Sequence, residues 1–360
     1  MASVGARPKL RSRKHGAAIP LDETDKRVMN LLQSSFPLAA EPFARLASQA
    51  ELPVDELMSR TQRLLDERII REITPIFDTR ALGYSSMLVA AKVDSENPQR
   101  AARIINSHPG VSHNYLRTHE FNLWFTIATP PDSQLGLSKT LEVLQRLTGA
   151  ESIRRLPTLT LFKINMNLEM EKGTDALAAA VEAAPPRELE PQPYDELDVA
   201  VIRALQGPMA LADRPYDEAA AHVGMTAETL LDHLRGMVDR KILRRVAAIL
   251  YHRRAGFSAN GMGVWRVPKE RVPEVGARMA SVRGISHCYE RPTYPDWPYS
   301  VFTMAHGRSK EECDAILDSI ASEHDLHGPD RAVLYSSTEY KKVRLHYFTE
   351  DYARWETEQA

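Results

Sequence analysis

The second half of this chain repeats the first, and that repeat restricts the fold more than any other feature. Ser112-His113-Asn114-Tyr115-Leu116-Arg117 returns as Ser286-His287-Cys288-Tyr289-Glu290-Arg291. Each copy follows a glycine and precedes an aromatic-rich strand pattern. Leu21-Asp22-Glu23-Thr24-Asp25 is matched by Tyr194-Asp195-Glu196-Leu197-Asp198, and Pro42 by Pro215. Ile69-Ile70-Arg71 is matched by Ile242-Leu243-Arg244, Leu82-Gly83-Tyr84 by Ala255-Gly256-Phe257, and Phe125-Thr126 by Phe302-Thr303. A period this long excludes a solenoid and predicts two homologous units packed as an internal pseudo-dimer. A further homo-oligomer is left open.

Each unit reads as two parts. The acidic start at Leu21 to Asp25 leads into Val28, Leu31 and Leu32 at helical spacing. A second helix starts at Pro42, a good first-turn residue. A third follows Leu52-Pro53-Val54-Asp55 and turns Leu57, Leu64 and Leu65 inward. Ile69, Ile70 and Ile73 then begin a β segment, which completes a winged helix-turn-helix pattern. After it come a strand from Tyr84 to Val93, a helix from Asn97 to Ser107, and the motif strand from Val111 to Arg117. A strand from Phe121 to Ala128, a helix from Gln134 to Leu147 and a last strand from Ile153 to Ile164 follow. The order is βαββαβ, the ferredoxin-like arrangement. The expected fold is therefore α+β, with two tandem units, each a winged helix-turn-helix followed by a ferredoxin-like antiparallel sheet domain.

The expected boundaries are a disordered basic tail over 1–20, winged helices over 21–80 and 194–254, and ferredoxin-like domains over 81–168 and 255–348. An Ala/Pro/Glu linker occupies 169–193 and a C-terminal tail 349–360. An electrostatic contact arm is the weaker alternative for the basic tail.

A helix-turn-helix first suggests DNA, and charge tests that suggestion. The chain has a formal net charge of -2, so no global field attracts nucleic acid. The helix over Asp55 to Arg68 sets Asp55, Glu56, Asp66 and Glu67 against Arg60, Arg63 and Arg68. The helix over Thr226 to Lys241 sets Glu228, Asp232 and Asp239 against Arg235, Arg240 and Lys241. Neither has the excess of cations that a DNA reader needs, so no DNA binding is expected. No apolar run approaches a membrane span and no signal-peptide core follows the basic N-terminus, so no membrane contact is expected. With two cysteines, Cys288 and Cys313, and no metal-ligand spacing, the natural home is a reducing cytoplasm.

Function is expected on the repeated strands instead. Residues two apart on a strand share a face, so His113, Tyr115 and Arg117 project together, as do His287, Tyr289 and Arg291. An imidazole, a phenol and a guanidinium in a row make an acid/base set with an anion clamp. His119, Phe121, Asn122 and Trp124 follow the first copy; Tyr294, Trp297 and Tyr299 follow the second, among Pro292, Pro295 and Pro298. Aromatic faces beside cations suit a large flat anionic ligand. Further cations lie at the hairpins leading into each sheet: Arg71 and Arg80, then Arg244, Arg245, His252, Arg253 and Arg254. A solvated charged face is the plainer reading of that run. No glycine-rich phosphate loop and no zinc or iron–sulfur spacing is present, so no metal site is expected.

These residues carry a resemblance. A winged helix-turn-helix followed by a ferredoxin-like sheet resembles the Lrp/AsnC class of transcription regulators. Within that superfamily, Gly110 to Arg117 with Asn122-Leu123-Trp124-Phe125 resembles one subunit of siroheme decarboxylase. Ser286 to Pro292 with Pro295-Asp296-Trp297-Pro298-Tyr299, together with Ala255 to Asn260 and Gly263-Val264-Trp265, resembles the other. The resemblance implies both subunits fused in one chain, with siroheme as the substrate. The implied reaction removes carbon dioxide from two acetate side chains to give didecarboxysiroheme, for the haem or the haem d1 route. No cofactor is expected beyond the iron that the substrate carries.

On that reading His113, Tyr115, His287 and Tyr289 form the reactive set. Arg71, Arg117, His119, Asn122, Trp124, Arg244, Arg245, His252, Arg291 and Trp297 bind substrate. The arginines hold propionates or spectator acetates, and the two tryptophans wall the macrocycle. His287 or His252 is an alternative ligand to the substrate iron, and which unit reacts stays open. The rival functions are a tetrapyrrole-responsive regulator and an amino-acid-responsive regulator of the ordinary Lrp kind. The first unit lacks the Trp-Pro-Tyr segment, so the two half-sites are expected to be unequal.

Overall fold

In the computed structural model the described residues are 21–34, 36–164, 191–251, 259–307 and 309–359. The expected basic tail, the linker as far as residue 190, His252, Arg253, Arg254 and the Ala255-Gly256-Phe257 repeat element lie outside the described residues.

The first winged unit contains α1 (Glu23–Ser34), α2 (Pro42–Ala50), α3 (Val54–Asp66) and β1 (Ile70–Phe77). After it come β2 (Ser85–Lys92), α4 (Pro98–Ser107), β3 (Val111–Arg117), β4 (Leu123–Thr129), α5 (Gly136–Thr148), β5 (Ser152–Leu156) and β6 (Thr160–Ile164). The second winged unit contains α6 (Glu196–Leu205), α7 (Asp217–His222), α8 (Ala227–Asp239) and β7 (Leu243–Leu250). It leads into β8 (Ala259–Trp265), α9 (Val272–Ser281), β9 (Ile285–Glu290), β10 (Val301–Gly307), α10 (Lys310–His324), β11 (Arg331–Lys342) and α11 (Asp351–Gln359).

The repeated acidic starts are caps. Asp22 and Asp25 exchange backbone-to-carboxylate bonds at the head of α1, and Asp195 and Asp198 do the same as a capping box on α6. The wings β1 and β7 pair antiparallel with each other, so the two helical parts share one core, in which Val28, Leu32 and Leu64 lie with Ile202, Leu230 and Leu234.

The large sheet has nine strands in the order β5-β2-β4-β3-β11-β8-β10-β9-β6. Each unit contributes four strands in ferredoxin-like order, with the fourth beside the first and the third between the first and second. The expected single strand from Ile153 to Ile164 is instead two. It stops before Pro157, which has no N–H to donate to a ladder. Its first part, β5, pairs with β2 of its own unit, and its second part, β6, pairs with β9 of the other. Strand β11 makes the same exchange without interruption: Arg331 to Tyr335 pair with β8, and Ser336 to Lys342 with β3. The terminal strands β5 and β6 are adjacent in the chain, so the ends of the sheet meet and its halves face one another. Trp124, Phe121 and Leu156 of the first unit pack there against Trp297, Phe302 and Leu334 of the second. The four helices α4, α5, α9 and α10 cover the outer faces.

The segment over 349–360, expected as a tail, carries the docked helix α11. Tyr352 and Trp355 are buried, the Trp355 ring lies 4.5 Å from that of His108, and its Nε1 donates to Ser107 Oγ at 3.1 Å. His108 Nδ1 in turn accepts the Gly110 N–H at 3.0 Å, which fixes the turn feeding β3. A Cβ on Gly110 would stand 1.8 Å from the Ala128 carbonyl oxygen. Gly110→Ala should therefore cost about 2–3 kcal/mol, because backbone must move to admit the methyl group. Chemical denaturation with an unchanged midpoint would contradict this.

Candidate active site

The motif strands β3 and β9 place their side chains as alternation requires. Tyr115 stands opposite Trp124 and Tyr289 opposite Phe302, so both rows share the face that holds the core between the sheet halves. Asn114 and Cys288 point the other way, and Asn114 Nδ2 donates to Asn106 Oδ1 of α4 at 2.9 Å. The rings of His113 and Tyr115 lie 6.2 Å apart, and those of His287 and Tyr289 6.0 Å. The Arg117 guanidinium carbon lies 5.7 Å from the Tyr115 ring centre, and that of Arg291 4.8 Å from Tyr289.

The two arginines are the most unusual groups in the rows. Arg117 is 8% exposed and Arg291 9%. Arg117 Nη1 donates to the Leu334 carbonyl at 2.8 Å, and Arg291 Nη1 donates to the Leu156 carbonyl. Each motif arginine thus reaches a backbone oxygen of the other unit's fourth strand. Neither has a carboxylate partner among the described residues, and each Nε is buried without a hydrogen-bond acceptor there. Burial pushes both down to about 10, which leaves both charged at neutral pH. Buried charges normally have counter-ions, and among the described residues these two have none.

Around His113 the charge is positive. Burial, then Lys342 opposite it on β11, then Arg71, push the imidazole down to about 4. Burial raises the Tyr289 phenol, partly offset by Arg291 and Arg80. Ser112 Oγ lies 3.0 Å from His113 Nδ1, and Ser286 Oγ 2.7 Å from His287 Nδ1.

Arg71 therefore joins the His113 group, whereas Arg244 and Arg245 are exposed on β7, and the charge of Arg244 is felt at Tyr347. His119 accepts the Phe121 N–H at 3.1 Å and sets its ring 5.3 Å from Trp297. The Asn122 amide is engaged within the sheet. Its Oδ1 accepts the Val93 N–H at 3.0 Å and its Nδ2 donates to the Val93 carbonyl at 2.9 Å, so the amide clamps β2 to the start of β4. Trp124 and Trp297 pack against each other at 5.2 Å, fully buried.

Sequence reading missed Lys342, whose place depends on which strand β11 joins, and gave no role to the serine that opens each hexapeptide. Simple alternation turns Ser112 away from His113. A register shift between Val111 and His113 brings the two together, and no sequence pattern marks it. A separate cavity of about 880 Å³, lined by Tyr84, Tyr194, Phe348, Tyr352 and Glu356, holds no motif side chain. The rows are preferred as the site because buried charge and perturbed imidazole coincide there.

Four arginines on or at the end of the candidate recognition helices are held in ion pairs. Arg60 pairs with Asp22, Asp25 and Glu56; Arg63 with Asp25; Arg235 with Asp232; and Arg240 with Asp198.

Comparison with known proteins gives two family matches, each found twice. The AsnC-like ligand binding domain matches residues 81–163 and 254–341, and the siroheme decarboxylase NirDL-like HTH domain matches residues 25–71 and 198–244. A siroheme decarboxylase of Hydrogenobacter thermophilus is 38% identical over 93% of this chain and 97% of its own. The siroheme decarboxylase beta subunit of Methanosarcina barkeri is 36% identical, with 99% of its length matching 42% of this chain. The crystal structure of the siroheme decarboxylase NirDL in complex with an iron-uroporphyrin III analogue superposes with a TM-score of 0.73 at 33% identity, covering 94% of this chain and 98% of that one.

Proposed function

The chain belongs to the siroheme decarboxylases, a family of carboxy-lyases, and on that premise we propose that its two motif rows form one substrate cradle spanning both units. Siroheme enters as substrate, bringing its own iron, and leaves as 12,18-didecarboxysiroheme for haem or haem d1 biosynthesis. In each loss the bond between methylene and carboxylate carbon breaks and carbon dioxide departs. The electron pair stays on the methylene carbon, delocalised into the macrocycle, until a proton converts the group to methyl.

The observation that carries this reading is the pair of buried arginines without counter-ions among the described residues. A macrocycle rimmed by carboxylates supplies what Arg117 and Arg291 lack. Clamping the reacting acetate directly would stabilise the ground state, so the arginines serve spectator carboxylates. Lys342, Arg71 and Arg80 extend the positive rim. His113 and His287, with Tyr115 and Tyr289 beside them, are the groups able to handle the proton. Trp124 and Trp297 exclude water from the space between the sheet halves. No flavin, pyridoxal or adenosyl group is required, because the macrocycle itself accepts the electron pair.

Anaerobic incubation of the purified protein with siroheme, with nothing else added, should give a pigment lighter by two molecules of carbon dioxide. Intact siroheme after incubation with demonstrably folded protein would remove the decarboxylase reading. The rival, a tetrapyrrole-responsive regulator, is not favoured by the ion-paired arginines of α3 and α8. A gel shift at low salt should show no retarded duplex with or without siroheme; specific retardation would restore the regulator. No described helix is long and apolar enough to cross a membrane. Cys288 and Cys313 are buried free thiols, which fits the cytoplasm as the site of action.

A further inference from the structure

The two histidines differ in the hydrogen bonds at Nδ1, and those bonds fix what each Nε2 can do. Ser286 Oγ donates to the Met304 carbonyl at 3.3 Å. A hydroxyl has one hydrogen, so in its 2.7 Å contact with His287 Nδ1 the oxygen is the acceptor and Nδ1 carries the proton. Neutral His287 then has its lone pair on Nε2. Taking a proton there leaves the Ser286 bond intact, because Nδ1–H is donated in both charge states.

At the equivalent place in the first unit the residue opposite the histidine is Thr126 rather than Met304. Ser112 Oγ lies 2.7 Å from Thr126 Oγ1 and 3.0 Å from His113 Nδ1, and Thr126 Oγ1 lies 3.4 Å from the same nitrogen. Both hydroxyl hydrogens are used when Thr126 donates to Ser112 and Ser112 to Nδ1, or when Ser112 donates to Thr126 and Thr126 to Nδ1 across the longer contact; in either arrangement Nδ1 is the acceptor. His113 then carries its proton on Nε2. Protonating Nδ1 would force Ser112 to turn towards Thr126 and leave the threonine hydrogen without an acceptor in that trio.

We propose that the two half-sites hold their histidines in opposite neutral tautomers, with His287 as the proton carrier and His113 as a fixed hydrogen-bond donor to substrate. Ser286, Ser112 and Thr126 are the positioning residues that create the difference. The assignment of a carried proton rests on the decarboxylase reading. In the cycle, Nε2 of His287 takes a proton from solvent and gives it to the methylene carbon as carbon dioxide leaves. His287 returns to the Nδ1–H form, and His113 stays neutral throughout.

Histidine-selective 15N labelling of the full chain, read by long-range proton–nitrogen NMR at neutral pH, tests the tautomers without substrate. Signals are assigned by their loss in His113→Gln and His287→Gln. The expected result is a protonated Nε2 at His113 and a protonated Nδ1 at His287. The same tautomer at both, or the reverse pairing, overturns the proposal. With siroheme, Ser286→Ala should lower kcat about 10-fold with KM changed by less than about twofold, and Ser286→Thr should restore it. Ser112→Ala should raise KM and leave kcat within about twofold. A larger kcat loss for Ser112→Ala than for Ser286→Ala overturns the division of roles. Opposite tautomers in a protein that leaves siroheme intact would sink the decarboxylase reading and, with it, the carrier role, while the tautomer assignment itself stood.

Discussion

His287→Ala should reduce the rate of siroheme decarboxylation by about 10²–10⁴-fold, the usual size of a lost acid–base group. The methylene carbon must be protonated after carbon dioxide departs, and on the proposed reading the buried Trp124, Trp297 and Phe302 keep bulk water from it. His113→Ala should act differently, chiefly by raising KM, because that ring is held neutral by burial and by Lys342 and Arg71. Single-turnover measurements with each variant separate the two effects from product release. If neither substitution slows turnover, the histidines are not the proton source and the tyrosines beside them become the candidates.

Acid should destabilise the fold well before the carboxylates titrate, through His108. This ring is 1% exposed, accepts the Gly110 N–H, and is pushed down to about 3 by burial and then by the charge of Lys341. Its folded-state pKa lies below the ordinary value of 6.5, so between those limits the unfolded chain binds a proton that the folded chain refuses. Stability is therefore complete above pH 6.5 and falls as pH drops towards 3. At pH 4 the loss from this one group is about 3 kcal/mol. His113, pushed down to about 4, adds to it in the same direction. Midpoints of denaturation followed from pH 7 to pH 4 should fall more steeply for the wild type than for His108→Phe. Equal slopes would show that His108 titrates normally.

Much of this molecule was legible because its signals are local. The acidic caps, the βαββαβ order and the His-x-Tyr-x-Arg alternation depend only on near neighbours in the chain, and the structure places them accordingly. What sequence did not reveal depends on partners distant in the chain. Nothing within Thr160 to Ile164 states that it joins β9 rather than β2, although Pro157 marks where the strand breaks. Lys342 reaches His113 only because β11 is long enough to cross both units. Asn122 sits among aromatic residues, so it resembles a ligand-facing group; its two bonds to Val93 exist only in the folded sheet. The serines were visible but silent, because strand alternation is blind to a register shift.

The exchanged strands tie the proposed substrate cradle to assembly of the two units. Each arginine is oriented by a carbonyl that the other unit supplies, Leu334 for Arg117 and Leu156 for Arg291. A unit folding by itself has an open sheet edge where its neighbour's strand belongs and a cation with nothing to aim it. On the proposed function, the two halves of the cradle depend on each other for their geometry, so a fault in either fourth strand is felt at the opposite unit's arginine.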